Sequence, residues 1–144
     1  MNLRPVTFND AELLLAWRND PDALKNSSNT LPVSEQSHNV WMNTVMMNSD
    51  TYVYIAEIDG VPVGQGRIER SWKAISKKMD SALIGYSIDK DFRMKGYGTE
   101  LCSLLVNLAT KHHGYAQTLC RIKRTNMCSV KVAIASGVHV VEFF

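Results

Sequence analysis

The feature that most constrains the fold of this chain is a pair of strand-like segments joined by a tight turn. Residues 52–58 and 61–69 are rich in strand-forming side chains, and Asp59-Gly60 between them is typical of a two-residue hairpin turn. A third strand-like segment, residues 82–88, follows after a polar stretch. The sequence therefore predicts an antiparallel meander in the middle of the chain.

Helical and strand-like patterns lie on both sides of the meander. Leucines recur at i, i+3, i+4 and i+7 over residues 97–111, which indicates a long amphipathic helix directly after the third strand. The other predicted elements are a strand at 3–7, a helix at 11–18 ended by Asn19-Asp20-Pro21-Asp22, a loop at 25–30, a helix capped by Ser34, a loop at 71–80, a strand at 117–123, a helix at 126–136 and a strand at 138–144. This order predicts a mixed α/β layer fold, with helices flanking a sheet, rather than a doubly wound one.

Length and composition limit the class of protein. A chain of 144 residues, with 45% hydrophobic and 21% charged residues, is expected to form one globular domain over residues 1–144. No apolar run is long enough to cross a bilayer and the N-terminus lacks the features of a signal peptide, so we expect no membrane partner and a cytoplasmic location. The cysteines have no metal-ligand spacing and are expected to be free thiols without a metal; they are Cys102, Cys120 and Cys128.

Charge is distributed unevenly along the chain. The first 50 residues carry six acidic and three basic residues, whereas residues 101–141 contain no Asp or Glu and five Lys or Arg. An acid-free basic segment is expected to attract an anion, and a solvated basic face is the open alternative. A nucleic-acid partner is not expected, because the net charge is only +2 and no basic stripe with interleaved aromatic residues occurs.

The junction between the third strand and the long helix, residues 91–100, holds two closely spaced glycines. Gly96 and Gly98 allow the backbone to approach a ligand with its N–H groups turned inward, and the start of a helix adds free N–H groups and positive potential. Such a turn suits a phosphate or diphosphate, and the cationic side chains beside it are Lys90, Arg93 and Lys95. The turn matches neither a Walker P-loop nor the dinucleotide fingerprint. A tight turn without a ligand is the alternative.

The hexapeptide Arg93-Met94-Lys95-Gly96-Tyr97-Gly98 resembles the [QR]-x-x-G-x-[GA] loop with which GCN5-related N-acetyltransferases bind the diphosphate of acetyl-CoA. Further stretches follow in the order found in that family: Leu3-Arg4-Pro5, Trp17-Arg18-Asn19-Asp20-Pro21, the strand pair around Asp59-Gly60, Gly85-Tyr86 and Asn126-x-x-Ser129. The resemblance implies the GNAT fold, a central mixed and mostly antiparallel sheet with splayed parallel strands at 82–88 and 117–123, flanked by helices. It also implies an N-acetyltransferase that uses acetyl-CoA as cosubstrate and a primary amine as acceptor.

The resemblance assigns contacts with the coenzyme to particular residues. Backbone groups of Ser87 and Ile88 would pair with the pantetheine arm, and the Ile88 N–H would polarise the thioester carbonyl. Asn126 and Ser129 would lie beside the same arm, although Asn126 also suits a helix cap. The diphosphate would lie against Arg93, Met94, Lys95, Gly96, Tyr97, Gly98 and Thr99.

The residues that transfer protons cannot be carried over from the family. Leu83 stands at the strand position that often carries a glutamate base, and Ala133 stands at the helix position that often carries a tyrosine acid. The remaining catalytic candidates are His38, Glu69 and Tyr86. For His38 the alternative is an ordinary histidine on a helix surface, and for Glu69 it is a surface ion pair with a neighbouring arginine.

The N-terminal half resembles one branch of the family. It is similar to the enzymes that acetylate 4-amino groups of nucleotide-linked sugars, so such a sugar is the preferred acceptor. The similar stretches are Trp17 to Pro21, Val33-Ser34, and His38 ahead of Trp41. A protein N-terminal amine, of the ribosomal-protein alanine type, is the first alternative. A non-catalytic module that senses acyl-CoA is the second, because both usual proton-transfer positions are apolar. The side chains available for a nucleotide are Arg18, Arg67, Arg70 and Trp72.

The C-terminal segment is short for this family. Only residues 138–144 follow the last predicted helix, whereas relatives usually have two closing strands there. An apolar strand at a sheet edge favours pairing with another chain. We therefore expect either a homodimer formed through residues 138–144 or a chain that is shortened relative to its relatives.

Overall fold

A computed structural model describes residues 1–48, 50–71 and 80–144, and this part of the chain contains one six-stranded sheet. The strands lie in chain order: β1 (Asn2–Pro5), β2 (Thr51–Ile58), β3 (Val61–Ser71), β4 (Ser81–Ile88), β5 (Gln117–Ile122) and β6 (Val140–Phe143). Neighbours from β1 to β4 are antiparallel, whereas β5 runs parallel to both β4 and β6. The predicted mixed, mostly antiparallel sheet is confirmed.

Helices connect the strands and cover the sheet. They are α1 (Ala11–Arg18), α2 (Pro21–Lys25), α3 (Glu35–Met47), α4 (Tyr97–Asn107), which continues as a π-helical turn at Leu108–His112, and α5 (Met127–Ala135). The predicted caps are present, because Ser34 accepts a hydrogen bond from the Ser37 N–H and Asn126 accepts one from the Ser129 N–H.

Helix α2 is the element that the sequence pattern does not predict. The stretch Asn19 to Asp22 reads as the end of a helix, yet a new helix begins at Pro21. The Asp20 carboxylate accepts hydrogen bonds from the N–H groups of Asp22 and Ala23, and proline fits the first helical position because it has no N–H to satisfy. The same residues that end α1 therefore start α2. Of the loop predicted at 71–80, residues 72–79 lie outside the described residues, as does Trp72 with its predicted role.

The two faces of the sheet pack against different helices. Leu105 of α4 lies so close to Gly66 of β3 that an added Cβ would meet its Cδ1 at 2.6 Å. On the opposite face, Val53 of β2 joins a core cluster with α1 and α3. Arg67 is the register partner of Val53 and therefore lies on that second face. We call the two sides the α4–α5 face and the α1–α3 face.

Strands β4 and β5 are paired only where they begin. The parallel register joins residues 81–83 to residues 117–119 and ends there, although β4 continues to Ile88 and β5 to Ile122. The C-terminal halves of the two strands therefore diverge and leave a gap between them. This gap corresponds to the splay that the family resemblance implies.

Strand β6 is the last strand of the described sheet and pairs with β5. Phe143 and Phe144, at its end, remain 47% and 37% exposed. Such an edge favours pairing with another strand. The homodimer through residues 138–144 stays a prediction.

Other expectations concern membranes and cysteines. Within the described ranges, no helix combines the length and the apolar character that crossing a membrane requires.

All three cysteines are free; Cys102 and Cys120 are buried and Cys128 is exposed.

The close approach of β3 to β4 predicts a difference between two strand glycines. A Cβ added at Gly64 would press on the Ser87 carbonyl oxygen and lie 3.0 Å from Ile88 Cδ1, so Gly64→Ala should destabilise the fold by about 1–3 kcal/mol. Gly85→Ala is the control, because its nearest atom would be Arg67 Nη2 at 3.4 Å. Urea unfolding measures both, and equal stability of the two variants would contradict this packing.

Candidate functional site

The glycine turn lies where β4 ends and α4 begins. Gly96 has φ of +81° and stands directly before the first residue of α4. Met94 also has a positive φ of 62°, and the residue is 96% exposed. Backbone strain at a non-glycine residue is uncommon and concentrates at functional sites. The N–H groups of the first turn of α4, at Tyr97, Gly98 and Thr99, have no partner within the helix and suit an anion.

The edge of β4 offers polar backbone groups to the gap. The Asp89 N–H donates to the Val63 carbonyl oxygen of β3 at 2.8 Å. Because successive N–H groups of a strand point to opposite edges, the Ile88 N–H points away from β3 and into the gap. Ile88 is therefore oriented as its predicted role requires. The Ser87 side chain lies on the α1–α3 face, where its hydroxyl accepts a hydrogen bond from Gln65 at 3.1 Å.

A small group of hydroxyls borders the gap from the α4–α5 face. Asn126 Nδ2 donates to Ser129 Oγ at 2.9 Å, and the Tyr86 hydroxyl donates to the same oxygen at 3.4 Å. A serine hydroxyl accepts two hydrogen bonds and donates one, so the Ser129 proton remains free to point toward a third group. Burial raises the pKa of Tyr86 to about 12, which keeps its phenol neutral near pH 7.

The Arg93 side chain is directed toward α2 rather than held free beside the glycine turn. Its Nη2 lies 2.8 Å from Asp20 Oδ2, its Nη1 lies 2.9 Å from Asp22 Oδ2, and its Nε donates to the Ile88 carbonyl oxygen at 3.0 Å. Burial raises the pKa of Asp20, but hydrogen bonds from Arg93 and from the Ala23 N–H outweigh burial, so the pKa lies below its usual value. Lys95, by contrast, is exposed, and its ammonium group lies 5.7 Å from the centre of the Phe92 ring.

Charged residues of β3 line the α1–α3 face. Glu69 forms an ion pair with Arg67, so the surface pairing considered for this residue is present. The Arg67 guanidinium also lies over Gly85 of β4, where a Cβ would meet it at 3.4 Å. Glycine at this position leaves room for the arginine to cover the strand. Because Glu69 is paired with this arginine, it is not a free carboxylate base.

His38 is buried rather than on the helix surface. It is 4% exposed, and it shares one stripe of α3 with Met42 and Val45, which pack against the sheet. Its ring centre lies 5.2 Å from that of Trp41. Burial lowers the pKa of His38 below its usual 6.5, so the imidazole is neutral near pH 7 and can accept a proton.

The candidate residues divide between the two faces of the sheet. His38 and Glu69 lie on the α1–α3 face, whereas Tyr86 lies on the α4–α5 face with Asn126 and Ser129, so the three catalytic candidates do not form one cluster. The gap between β4 and β5 borders both faces of the sheet. A group held on one side can react there with a group held on the other. Among the described residues, no His, Cys, Asp and Glu cluster suited to a metal ion is found.

Contacts between α1 and the loop after β4 leave no local pattern in the sequence. Trp17 Nε1 donates to Asp89 Oδ2 at 2.7 Å, and Asp89 caps the short turn that follows β4. The partners are 72 positions apart, so no local pattern identifies them. The sequence does place Trp17 three positions before Asp20, and the run of polar residues on both sides of Pro21 is the local indication of a specific role.

The sequence matches one protein family. The model of the acetyltransferase (GNAT) domain family aligns with residues 1–139, which is nearly the whole chain. The matched residues include the glycine turn, the gap and both groups of candidate residues described above.

Solved structures share the fold. A domain from Methanocaldococcus jannaschii DSM 2661 superposes with a TM-score of 0.76 at 25% identity, covering 94% of this chain and 86% of that one. The ribosomal-protein-alanine N-acetyltransferase from Brucella melitensis gives a TM-score of 0.76 at 21% identity, covering 95% and 83%. The spermidine N-acetyltransferase from Vibrio cholerae, solved with CoA and spermine, gives 0.81 at 12% identity, covering 94% and 79%.

The glycine turn allows a matched test of coenzyme binding. Gly96 and Gly60 have φ of +81° and +78°, and a Cβ on either would meet no atom within 4 Å. Each alanine substitution should therefore cost roughly 1–2 kcal/mol of stability through backbone strain. Only Gly96→Ala should also weaken acetyl-CoA binding, by about tenfold in calorimetry, because it displaces the N–H groups of the turn. Equal coenzyme affinity in both variants would remove the turn from the binding site.

Proposed function

Because this chain belongs to the GNAT acetyltransferase family, we propose that it transfers the acetyl group of acetyl-CoA to an amino group of a nucleotide-linked sugar. The family membership establishes an N-acetyltransferase that uses acetyl-CoA. The choice of acceptor is the proposal. It depends on an unpartnered guanidinium nitrogen at the end of α1, on the side of the sheet opposite α4 and α5.

The observation that carries the proposal is an unsatisfied nitrogen of Arg18. Its Nη2 donates to the Asn29 carbonyl oxygen at 3.3 Å, whereas its buried Nη1 has no hydrogen-bond partner among the described residues. A buried guanidinium nitrogen without an acceptor is costly, and a bound anion would satisfy it. Asn19, the next residue, exchanges two hydrogen bonds with Val33 and so joins the end of α1 to the start of α3. Arg18 is therefore joined through Asn19 to the segment that precedes α3, the helix that carries His38.

The ion pair between Arg67 and Glu69 on the same face limits the choice of acceptor. Because the two side chains are paired, Glu69 offers no free carboxylate to an amine and Arg67 offers no free charge to a phosphate. A polyamine such as the spermidine named for the Vibrio cholerae enzyme needs unpaired carboxylates. The unpartnered nitrogen of Arg18 instead suits a phosphate of a nucleotide.

The residues on the two sides of the gap suit direct attack of an amine on a thioester. The Ile88 N–H is oriented to donate a hydrogen bond to the thioester oxygen. His38, neutral and buried on the acceptor side, is suited to accept the proton that the amine nitrogen loses, directly or through a water. As the carbon–sulfur bond breaks, the free Ser129 proton can donate a hydrogen bond to the departing sulfur, with Tyr86 and Asn126 orienting the serine.

A thiol-release assay with a panel of amines tests the acceptor. The panel contains a nucleotide-linked 4-amino sugar, the same amino sugar without the nucleotide, a peptide with N-terminal alanine, and spermidine. We expect the nucleotide-linked sugar to be preferred, and Arg18→Gln to raise its KM roughly 10- to 100-fold by removing a charged hydrogen bond. Lys111→Gln is the control, because it removes an exposed charge in the turn that continues α4 at the end opposite the glycine turn.

Each other outcome of the panel decides against the proposal. Preference for the peptide would identify an N-terminal acetyltransferase, and preference for spermidine would exclude an anionic acceptor. Tight acetyl-CoA binding with no turnover on any amine would indicate the sensor.

The burial of His38 predicts the pH dependence of catalysis. A base whose pKa is lowered works down to lower pH, so the acid limb of kcat/KM should have an apparent pKa below 6.5. His38→Gln should abolish this limb and lower kcat/KM near pH 7 by about 10²- to 10⁴-fold. Glu69→Gln is the comparison: if the limb persists in His38→Gln and disappears in Glu69→Gln, the base is Glu69.

A further inference from the structure

Helix α2 is joined to the chain segments that follow both strands of the gap. At its start, Asp20 and Asp22 contact Arg93, which follows β4. At its end, the Lys25 carbonyl oxygen accepts a hydrogen bond at 2.8 Å from Lys123, which follows β5. Because β4 and β5 are parallel, both segments lie at the same edge of the sheet. Helix α2 therefore spans the open ends of the two strands, just where they have diverged.

The Arg93 contacts differ from an ordinary surface ion pair. The guanidinium is 29% exposed, and Asp20, its closer partner, is 13% exposed. Every nitrogen of the guanidinium, Nε, Nη1 and Nη2, already has an acceptor. Two carboxylates more than balance its single charge, so the cluster presents no free positive charge to a diphosphate. The motif arginine is thus occupied by contacts within the protein.

We propose that Arg93 is a positioning residue, which holds α2 across the open ends of β4 and β5 and thereby aligns the acceptor side with the coenzyme side. The inference rests on the proposed transfer reaction. Arg93 has two kinds of partner. Its contacts with the aspartates fix α2, and with α2 they fix Arg18, which lies two residues before Asp20. Its Nε holds the Ile88 carbonyl at the gap. The Trp17 contact with Asp89 adds a second attachment of α1 to the same loop.

Coupled variants separate this role from direct diphosphate binding. Arg93→Gln and the pair Asp20→Asn with Asp22→Asn should each lower kcat/KM for the acceptor roughly 10- to 100-fold, because displaced reactants react slowly. Asparagine retains the cap of α2. Combining all three substitutions should cost no more than either set alone, since both break the same contacts. The Kd for acetyl-CoA should remain within about twofold of wild type.

Distinct results would overturn the proposal. If Arg93→Gln weakens acetyl-CoA binding tenfold and the aspartate variants do not, Arg93 binds the diphosphate. If all variants keep the wild-type kcat/KM, α2 needs no fixing. Arg93→Lys should restore part of the rate, and Lys111→Gln, at the end of α4 far from the glycine turn, should change nothing.

A second measurement is independent of the acceptor. Hydrogen exchange of the α2 amides should be faster in Arg93→Gln than in wild type and in Lys111→Gln, with acetyl-CoA bound in each case. Unchanged exchange would overturn the proposal even if no amine in the panel were acetylated. Failure of the panel together with faster exchange would contradict only the proposed acceptor.

Discussion

The divergence of β4 from β5 is the constraint on which the rest of the structure depends. The two strands share a register only at residues 81–83 and 117–119, and beyond it their backbone groups cannot pair with each other. Unpaired backbone groups near a protein interior require other partners. Arg93 supplies one to the Ile88 carbonyl, and the Ile88 N–H is left to face the gap. The opening in the sheet thus creates both the space and the polar groups of the candidate site.

Adjacent side chains of β4 lie on opposite faces of the sheet and therefore contact different groups. Tyr86 reaches toward Ser129 of α5, whereas its neighbours Gly85 and Ser87 lie on the opposite face with Arg67 and Gln65. A strand places successive side chains on opposite sides. In the proposed reaction, one strand would therefore serve both the coenzyme side and the acceptor side, and backbone geometry would fix their separation.

Turns and helix caps could be predicted from the sequence because each depends on residues close together in the chain. The hairpin at Asp59-Gly60, the caps at Ser34 and Asn126 and the turn at Gly96 each depend on a few neighbouring residues, and all are present. The burial of His38 is different, because it depends on how α3 lies against the sheet. The contact of Arg93 with Asp20 joins residues 73 positions apart, and its local sequence resembles a phosphate-binding loop equally well. Long-range pairing of charges leaves no periodic pattern, so these contacts of Arg93 could only be seen in three dimensions.

The sheet also has a consequence for the order of events in the proposed reaction. The glycine turn and α5 border the gap from one face, and α1 to α3 border it from the other, so the two reactants would approach through separate entrances. Neither reactant then blocks the departure of the other, and the acetyl group need not be held covalently on the protein between the two. Double-reciprocal plots of initial rates should therefore give intersecting lines, as they do when both reactants occupy an enzyme at once.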